Sequence, residues 1–408
     1  MKKRINQIKK VIKSIINYFS QTLVNKLIHN FFHINSDISY PETYDFIKLK
    51  NQIRKFKNNL SFDEEGFLCR FSKSSPKYSL YATVYSFMTS NLLGDVKNFS
   101  LEKKNKWTEY FDSFQREDGF FVDNVCETPS YFDSDWWGAR HLALHMISAY
   151  SALDSKPKYE FFFLREWYGN GIDILMDELD SLKDPFATDI DNKIGNIGGL
   201  LQYQRDFRKD QNANVALEKL KKELINRIDK NTGLWFSDRK ADPENPYCRK
   251  TSKHSLSREI QFAYHLLQIF FYDKNFNFEA EKIIKRTLET QNAYGGYGVL
   301  SNSSACEDID SIDLLIRFYP FVNQNLKSEI KDSINKGFSW VIKNQMSDGG
   351  FTFRLFSNFT YGHKQLRASL FNSNMMATWF RLLSIAYITR FLGFDDQFSL
   401  ISAPGYEH

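Results

Sequence analysis

The amino-acid sequence predicts an all-α fold built from repeated helical pairs. Four segments share one pattern, in which a helix ends in Gln or Asp and a polar turn with Gly leads into aromatic residues. These segments are QREDGFF (115–121), DKNTGLWF (229–236), QNAYGGYG (291–298) and QMSDGGFTF (345–353). A period of roughly 50 to 65 residues is typical of a helical hairpin with its loop. Period-2 alternation is nearly absent, so we expect little sheet.

Six runs of the chain are apolar and aromatic almost throughout, and we interpret them as inner helices. They lie near 76–92, 130–152, 186–206, 255–272, 305–321 and 367–392. A helix that is apolar on all sides must be surrounded by protein. The six runs therefore need an outer layer.

Six amphipathic, lysine-rich runs supply that outer layer, one before each inner helix. They lie near 43–58, 99–115, 159–182, 211–229, 275–291 and 324–345. A lysine face can meet water while the opposite face covers an inner helix. The turn glycines suit a backbone that takes positive φ after a helix end. The sequence thus predicts an (α/α)6 toroid, a ring of six inner helices inside a ring of six outer helices.

The N-terminal segment differs in charge from the rest of the chain. The 408 residues carry a net charge of +5, but residues 1–36 hold seven Lys or Arg and no acid, which leaves −2 for the remainder. A nearly neutral body argues against nucleic-acid binding. We therefore divide the chain into a basic amphipathic helical arm (1–36) and a toroid domain (37–408).

The arm repeats apolar residues at the three-to-four spacing of one helix face, at Ile5, Ile8, Ile12, Ile15, Phe19, Leu23 and Leu27. Such a helix could rest on an anionic membrane surface, or it could pack on the body or on a protein partner. Its lysines interrupt any signal-peptide core, and no apolar run is long enough to span a membrane. We expect a cytoplasmic protein with membrane association through the arm as an open alternative.

The cysteines give no sign of a disulfide framework or a zinc knuckle. Cys69, Cys126, Cys248 and Cys306 are far apart, and no two of them form a C-x-x-C pair. Paired cysteines at short spacing are the usual signature of both structures. This pattern fits a reducing compartment.

The stretch SACEDIDSIDLL (304–315) concentrates acids at the start of the fifth inner helix. Helix starts favour acids, which explains Asp308 but not Asp313, nearly two turns further along. Asp310 and Asp313 share one helix face with Cys306. If that face meets a central cavity, desolvation would raise the pKa of Asp310 and keep it protonated near neutral pH, as a Brønsted acid.

The segment GGYG…CEDIDSIDLL…INKGFSWVIKNQMSDGGF resembles squalene-hopene cyclases and other class II terpene cyclases, where a glycine-aromatic repeat precedes a D-x-D-D motif. The resemblance implies that Asp310 is the proton donor and Asp308 its neighbour, with Asp313 nearby. It implies a terpenoid-cyclase-like isomerase or lyase that protonates a polyprenyl substrate in an aromatic cavity. Ser311 stands at the last Asp of the motif. Because such cyclases enclose their site between two helical domains, a protein partner could close the cavity here.

The same repeats occur in protein prenyltransferase β subunits, which resemble this chain and bind zinc. Their ligands are an Asp-x-Cys pair and a later His, whereas this chain has Cys306 before Asp308 and then His363. Thiolate, carboxylate and imidazole are suitable zinc ligands, so this set is a weaker alternative. We otherwise expect no cofactor, with magnesium also left open.

The inner helices of a toroid run in one direction, so their N-termini gather at one mouth. Substrate-binding candidates there are Trp136, Trp137, Arg140, His141, Asp191, Arg258, Tyr264 and Arg367. Asp189 accompanies Asp191, and His265 accompanies Arg258, on the same two helices.

Three functions are open for such a mouth. An isoprenoid enzyme would hold a diphosphate with Arg140, Arg258, Lys364 and Arg367 and stabilise carbocations with its aromatic wall. A carbohydrate-active enzyme would pair Asp310 with Asp135 or Asp191 as acid and base, and would stack sugars on Trp136 and Trp137. A non-catalytic toroid would grip a partner. The 38 Phe favour the isoprenoid interpretation, although whether the chain is an enzyme stays open.

Overall fold

The computed structural model describes residues 21–33, 37, 39–123, 125–126, 128–236, 252–298 and 300–405. Helices dominate these ranges. The described residues contain one sheet, formed by two short antiparallel strands, β1 (Phe359–Thr360) and β2 (Arg367–Ala368). In this sheet Phe359 pairs with Ala368. Residues 21–33 form helix α1, and a short helix α5 spans Pro129–Asp133.

The outer helices lie close to their predicted positions, except that the third begins at Gly171 and not near residue 159. They are α2 (Phe46–Leu60), α4 (Leu101–Asp112), α7 (Gly171–Ser181), α9 (Gln211–Asn226), α11 (Ala280–Glu289) and α13 (Gln324–Lys343). Helix α2 shows the pattern, because only Phe46, Leu49, Ile53, Phe56 and Leu60 are buried on its inner face. One apolar stripe is enough to dock a helix whose other side is hydrated.

The inner helices alternate with them along the chain. They are α3 (Leu80–Leu92), α6 (Ala139–Ala152), α8 (Ile190–Phe207), α10 (Ser252–Tyr272), α12 (Ala305–Phe318) and α14 (Met375–Phe391). Every residue of α3 is buried. Each inner helix packs against the next, and α14 packs back against α3, so the described helices close a ring. The predicted (α/α)6 toroid is confirmed.

The glycine turns join neighbouring outer helices. In the last turn, Gln345 Nε2 donates to the Gly349 carbonyl at 3.0 Å, and Gly349 has φ of +93°. A Cβ at Gly349 would lie 2.4 Å from the carbonyl oxygen of Gln52 on α2. The fourth turn therefore seals the last outer helix to the first.

The C-terminal segment enters the barrel from the end at which α3 finishes. The Ser399 amide donates to the Leu92 carbonyl at 3.0 Å. Gly405 is buried against Leu144 and Gly199, which lie midway along α6 and α8. The segment thus fills the axis from one end, and the opposite end holds the N-termini of the inner helices.

Helix α1 packs on the toroid. Ile28 is buried, and the Phe32 ring stacks on Trp340 of α13 with centroids 5.5 Å apart. Residues 1–20 of the predicted arm lie outside the described residues. The domain boundary, lipid contact and cytoplasmic location therefore stay predictions. No helix within the described ranges is both long and apolar enough to span a membrane.

Candidate functional site

A cavity of about 230 Å³ lies at the N-terminal ends of α6, α8, α10, α12 and α14. One part of its wall is apolar, formed by Trp136, Met376 and Phe380. The rest is polar and consists of His141, Thr188, Asp189, Asn192, Arg258, Gln261, His265, Cys306 and Asp310. The inner helices thus bring their N-terminal side chains to one mouth.

Asp308, one of the acids that open α12, is part of the core. The carboxylate is fully buried and accepts hydrogen bonds from the Tyr297 amide, Ser303 Oγ, Trp340 Nε1 and Arg381 Nη1, all at 2.7–2.8 Å. Arg381 is also fully buried. These bonds join α12 to α13 and α14, so Asp308 is an internal ion-pair residue that faces no substrate.

The acids on either side are engaged as well. Glu307 forms a capping box with Ser304, and its Oε2 lies 2.7 Å from Arg354 Nη2. Asp313 accepts two hydrogen bonds from Arg317 Nε, at 2.8 and 2.9 Å. Glu307 and Asp313 are therefore balanced by cations, which leaves Asp310 as the exception in this cluster.

Asp310 lines the cavity with its carboxyl group nearly dry. It is 2% exposed, the side chain of Gln261 hydrogen-bonds it, and its Oδ2 has no hydrogen-bond partner among the described residues. Burial raises the pKa of Asp310 to about 7, although the positive charges of His265 and Arg258 oppose the shift. At neutral pH a substantial fraction of this group holds its proton, next to an open cavity.

Asp191 has the opposite character. The carboxylate is fully buried and bound bidentately by Arg258 at 2.6 and 2.8 Å, while His265 Nδ1 lies 2.7 Å from Oδ2. Burial acts to raise the pKa of Asp191, but Arg258 and His265 hold it below its usual range. Because His265 Nδ1 is hydrogen-bonded to the Asp191 carboxylate, Nε2 is the His265 nitrogen available to the cavity. Asp191 therefore orients other groups and is no free base.

Asp135 is also committed elsewhere, whereas Asp189 is not. Both oxygens of Asp135 lie 2.8 Å from Arg140, and Asn196 donates to the backbone and side chain of Asp135. Asp189 lines the cavity and is half-buried. Its Oδ2 accepts from the Asp135 amide at 3.0 Å and Ser134 Oγ at 3.4 Å. Within the described ranges no basic side chain pairs with Asp189.

Several predicted site residues lie away from this cavity. Trp137 is buried and stacks on His363, and Arg140 pairs with Asp135. Arg367 is exposed on β2, where its Nε donates to the Ser74 carbonyl. Tyr264 and Asp313 line a second cavity of about 320 Å³ beside the C-terminal segment. Trp136, His141, Arg258 and Asp310 are at the mouth, with Asp191 directly behind Arg258.

The suggested zinc ligands do not come together. Cys306 lines the cavity, Asp308 is saturated by Arg381 and its neighbours, and His363 lies beside Trp137. Among the described residues no three His, Cys, Asp or Glu side chains are arranged to hold a metal ion. Cys306 faces the cavity and Asp308 faces the core, so these two side chains do not share a site.

Sequence reasoning did not single out Gln261 as a site residue. Gln261 and His265 follow Arg258 at i+3 and i+7 on α10, and all three line the cavity. That spacing places residues on one helix face and was the available signal.

Comparisons with known proteins find similarity among solved structures alone. No protein-family profile matches the chain, and no curated protein matches it significantly. Similar solved structures include a polysaccharide lyase, 10% identical over 85% of this chain and 98% of its own, with a TM-score of 0.48. The α-1,6-mannanase GH76A from Salegentibacter sp. HEL1_6 is 10% identical over 85% and 100%, with a TM-score of 0.45. A glycosyl hydrolase of family 88 from Bacteroides vulgatus is 12% identical over 85% and 100%, with a TM-score of 0.49. An inactive variant of the same mannanase was solved with α-1,6-mannotetrose.

The expected relationship to terpene cyclases and prenyltransferases is wrong. The three similar structures are carbohydrate-active enzymes. Asp308, which the resemblance made the neighbour of the acid, is fully paired within the core. A cavity lined mostly by polar groups also differs from the dry aromatic chamber that a polyprenyl chain needs. The interpretation as an isoprenoid cyclase is therefore withdrawn.

Proposed function

We propose that this protein is a carbohydrate-active enzyme that cleaves a glycosidic bond, with Asp310 as general acid and Asp189 as the second carboxylate. One observation carries the proposal. Asp310 is a buried carboxyl group whose pKa is raised to about 7, and no described residue hydrogen-bonds its Oδ2 in a cavity that also contains Asp189. Glycosidases use such a pair, one carboxyl protonated and the other ionised.

The rest of the cavity suits a sugar. A pyranose has apolar C–H faces and a rim of hydroxyl groups. Trp136, Met376 and Phe380 offer an apolar surface, while Asn192 and Gln261 offer amides. Carbohydrate sites combine an apolar platform with a few placed polar groups. The volume of about 230 Å³ lies below the range of about 300–1,000 Å³ for drug-sized ligands, which suits one sugar unit.

The chemistry follows from the two protonation states. The proton of Asp310 moves to the glycosidic oxygen as the C–O bond to the anomeric carbon breaks, so the leaving sugar departs as an alcohol. Asp189 takes a proton from the attacking water, whose oxygen bonds to the anomeric carbon. The net reaction consumes one water and returns both carboxyl groups to their starting states after proton exchange with solvent. The Arg258–Asp191 pair holds His265 in place beside them.

The first experiment compares wild type with Asp310→Asn on a panel of oligosaccharides, with release of sugars followed by mass spectrometry. We expect wild type to shorten at least one glycan and Asp310→Asn to lose about 10²–10⁴-fold in kcat, the usual contribution of a general acid. Asp177→Asn, a change at an exposed position on α7, is the control and should retain full activity. A folded wild type that cleaves none of the panel, or an Asp310→Asn variant with unchanged kcat, would contradict the proposal.

A further inference from the structure

We infer that the cavity selects an uncharged sugar unit and rejects a uronic acid, with Asp189 as the residue that determines this specificity. The inference rests on the proposed function and names the substrate class of the same site. It follows from comparing the charged side chains of the cavity that form ion pairs within the protein with the one that does not.

Among the described Lys and Arg residues, Arg258 alone lines the cavity. Most of its N–H donors already form hydrogen bonds within the protein. Nη1 and Nη2 bind Asp191 at 2.8 and 2.6 Å. Nη2 also donates to the Thr188 carbonyl and Nε to the Phe186 carbonyl, both at 3.1 Å. Asp191 therefore cancels the charge of Arg258, and a bidentate grip on a substrate carboxylate is not available.

Two other ionisable groups of the cavity, His141 and Cys306, are neutral near pH 7, and Asp310 is partly so. Burial, helped by His265, lowers the pKa of His141 to about 3. Burial also raises the pKa of Cys306 well above its ordinary value, and Asp310 is the partly protonated acid described above. His265 Nδ1 is hydrogen-bonded to the Asp191 carboxylate. Within this cluster the charges of Arg258 and Asp191 offset each other.

Asp189 is the remaining ionisable group of the cavity. It receives an amide N–H and the hydroxyl of Ser134; Arg140 and Arg258 act on it at longer range, and no described cation forms an ion pair with it. A second carboxylate brought into a cavity of about 230 Å³ would meet this charge across a partly dry space, where like charges repel more strongly than in water. A sugar hydroxyl could instead donate to Asp189. Neutral sugars therefore gain a contact where uronates meet repulsion.

The experiment uses Asp310→Asn as an inactive protein and measures dissociation constants by calorimetry at pH 7. The ligands are matched pairs: glucose with glucuronate, galactose with galacturonate, and mannose with mannuronate. For at least one pair we expect the neutral sugar to bind ~10-fold to 100-fold tighter than its uronate, as for close like charges in a partly screened site. Asp189→Asn on the same background should reduce that ratio to less than ~3-fold, because the repelling charge is gone. Asp177→Asn, which neutralises a remote acid, should leave the ratio unchanged.

The outcomes separate this inference from the proposed function. A uronate that binds as tightly as its neutral partner overturns the inference alone, since a sugar is still bound. A ratio that survives Asp189→Asn also overturns it, because the selectivity then has another source. If none of the six sugars binds and wild type cleaves no glycan, the inference and the proposed function fall together.

Discussion

Asp310 is held in an environment that favours function over stability. In the part of the chain that the structure describes, no cation contacts its carboxyl group and Oδ2 has no partner, whereas Asp308 two residues earlier has four donors. Asp308 and Asp310 lie in the same helix turn, but Asp308 faces hydrogen-bond donors in the core whereas Asp310 faces the cavity. Buried polar groups without partners are costly, and such costs concentrate at functional sites.

The pH dependence of stability should show this cost. A folded-state pKa of about 7 lies above the ordinary value of 3.8, so Asp310 is tolerated below about pH 4 and destabilises the fold as pH rises toward and beyond 7. Asp310→Asn removes the ionisation. We expect it to raise the free energy of unfolding by up to roughly 4 kcal/mol at pH 8 and to have little effect at pH 4.

Urea unfolding of wild type and Asp310→Asn at both pH values tests this. Asp313→Asn provides the contrast, because its partner Arg317 stays behind in the protein and this variant should be less stable than wild type at pH 8. Equal gains at pH 4 and pH 8 would show that burial does not raise the pKa of Asp310.

The pair formed by Asp191 and Arg258 should behave in the opposite way. The pKa of Asp191 is lowered, so its contribution to stability is present above the unfolded pKa of 3.8 and is lost as pH falls below that value. Asp191→Asn leaves Arg258 without its charge partner and should cost about 3–5 kcal/mol at pH 7. Asp118→Asn, which breaks an exposed pair with Arg116, should cost less than about 1 kcal/mol. Thermal or urea unfolding separates the two, and similar losses would contradict the internal role of Asp191.

At the scale of elements, the sequence predicted the helices better than their ends. Twelve alternating apolar and amphipathic runs became inner and outer helices, because each pattern dictates how much of a helix can meet water. The second inner helix was expected from residue 130, but it begins at Ala139 after the separate short helix α5. Gly138 explains the break, since a Cβ there would lie 2.0 Å from the Ser134 carbonyl oxygen.

The site was only partly readable from the sequence. The cavity-lining residues Asp310, Trp136, His141 and Arg258 could be proposed from helix position alone. The partner of Asp308 is Arg381, 73 residues away on α14, and no local pattern reveals such a pairing. For the same reason Asp308 looked catalytic, and Asp135 and Asp191 looked like free bases, until their arginines were located.

The glycine turns permit a direct test of ring closure. Gly349→Ala should destabilise the protein by roughly 3 kcal/mol or more, because it adds a clash with the Gln52 carbonyl to the cost of positive φ. Gly393→Ala is a matched control, since Gly393 has φ of +89° and no atom near its added Cβ. That variant should lose only about 1–2 kcal/mol. Equal losses in the two variants, measured by urea unfolding, would mean that the turn does not press on α2.

At the scale of the whole molecule, segments far apart in the sequence pack together. Helix α14 packs on α3, and the C-terminal segment reaches Leu144 and Gly199 inside the barrel. These contacts connect residues separated by more than half the chain, so they form only after long loops close, and contacts of this kind slow folding. Composition and periodicity do not reveal that the last residues fill the axis, because Ser402, Ala403 and Gly405 carry no apolar pattern.

The seal between Gly349 and Gln52 distinguishes this molecule from a linear array of helical hairpins. A linear array has two terminal repeats, which fray first and need polar caps. Here the last hairpin meets the first, and neither is terminal in space. Local fraying has no preferred starting point in such a circle, so damage at any one hairpin is shared by its neighbours on both sides. The backbone amides of the inner helices should therefore exchange with solvent as one cooperative unit, and the mouth that holds Asp310 keeps its shape for as long as the circle is unbroken.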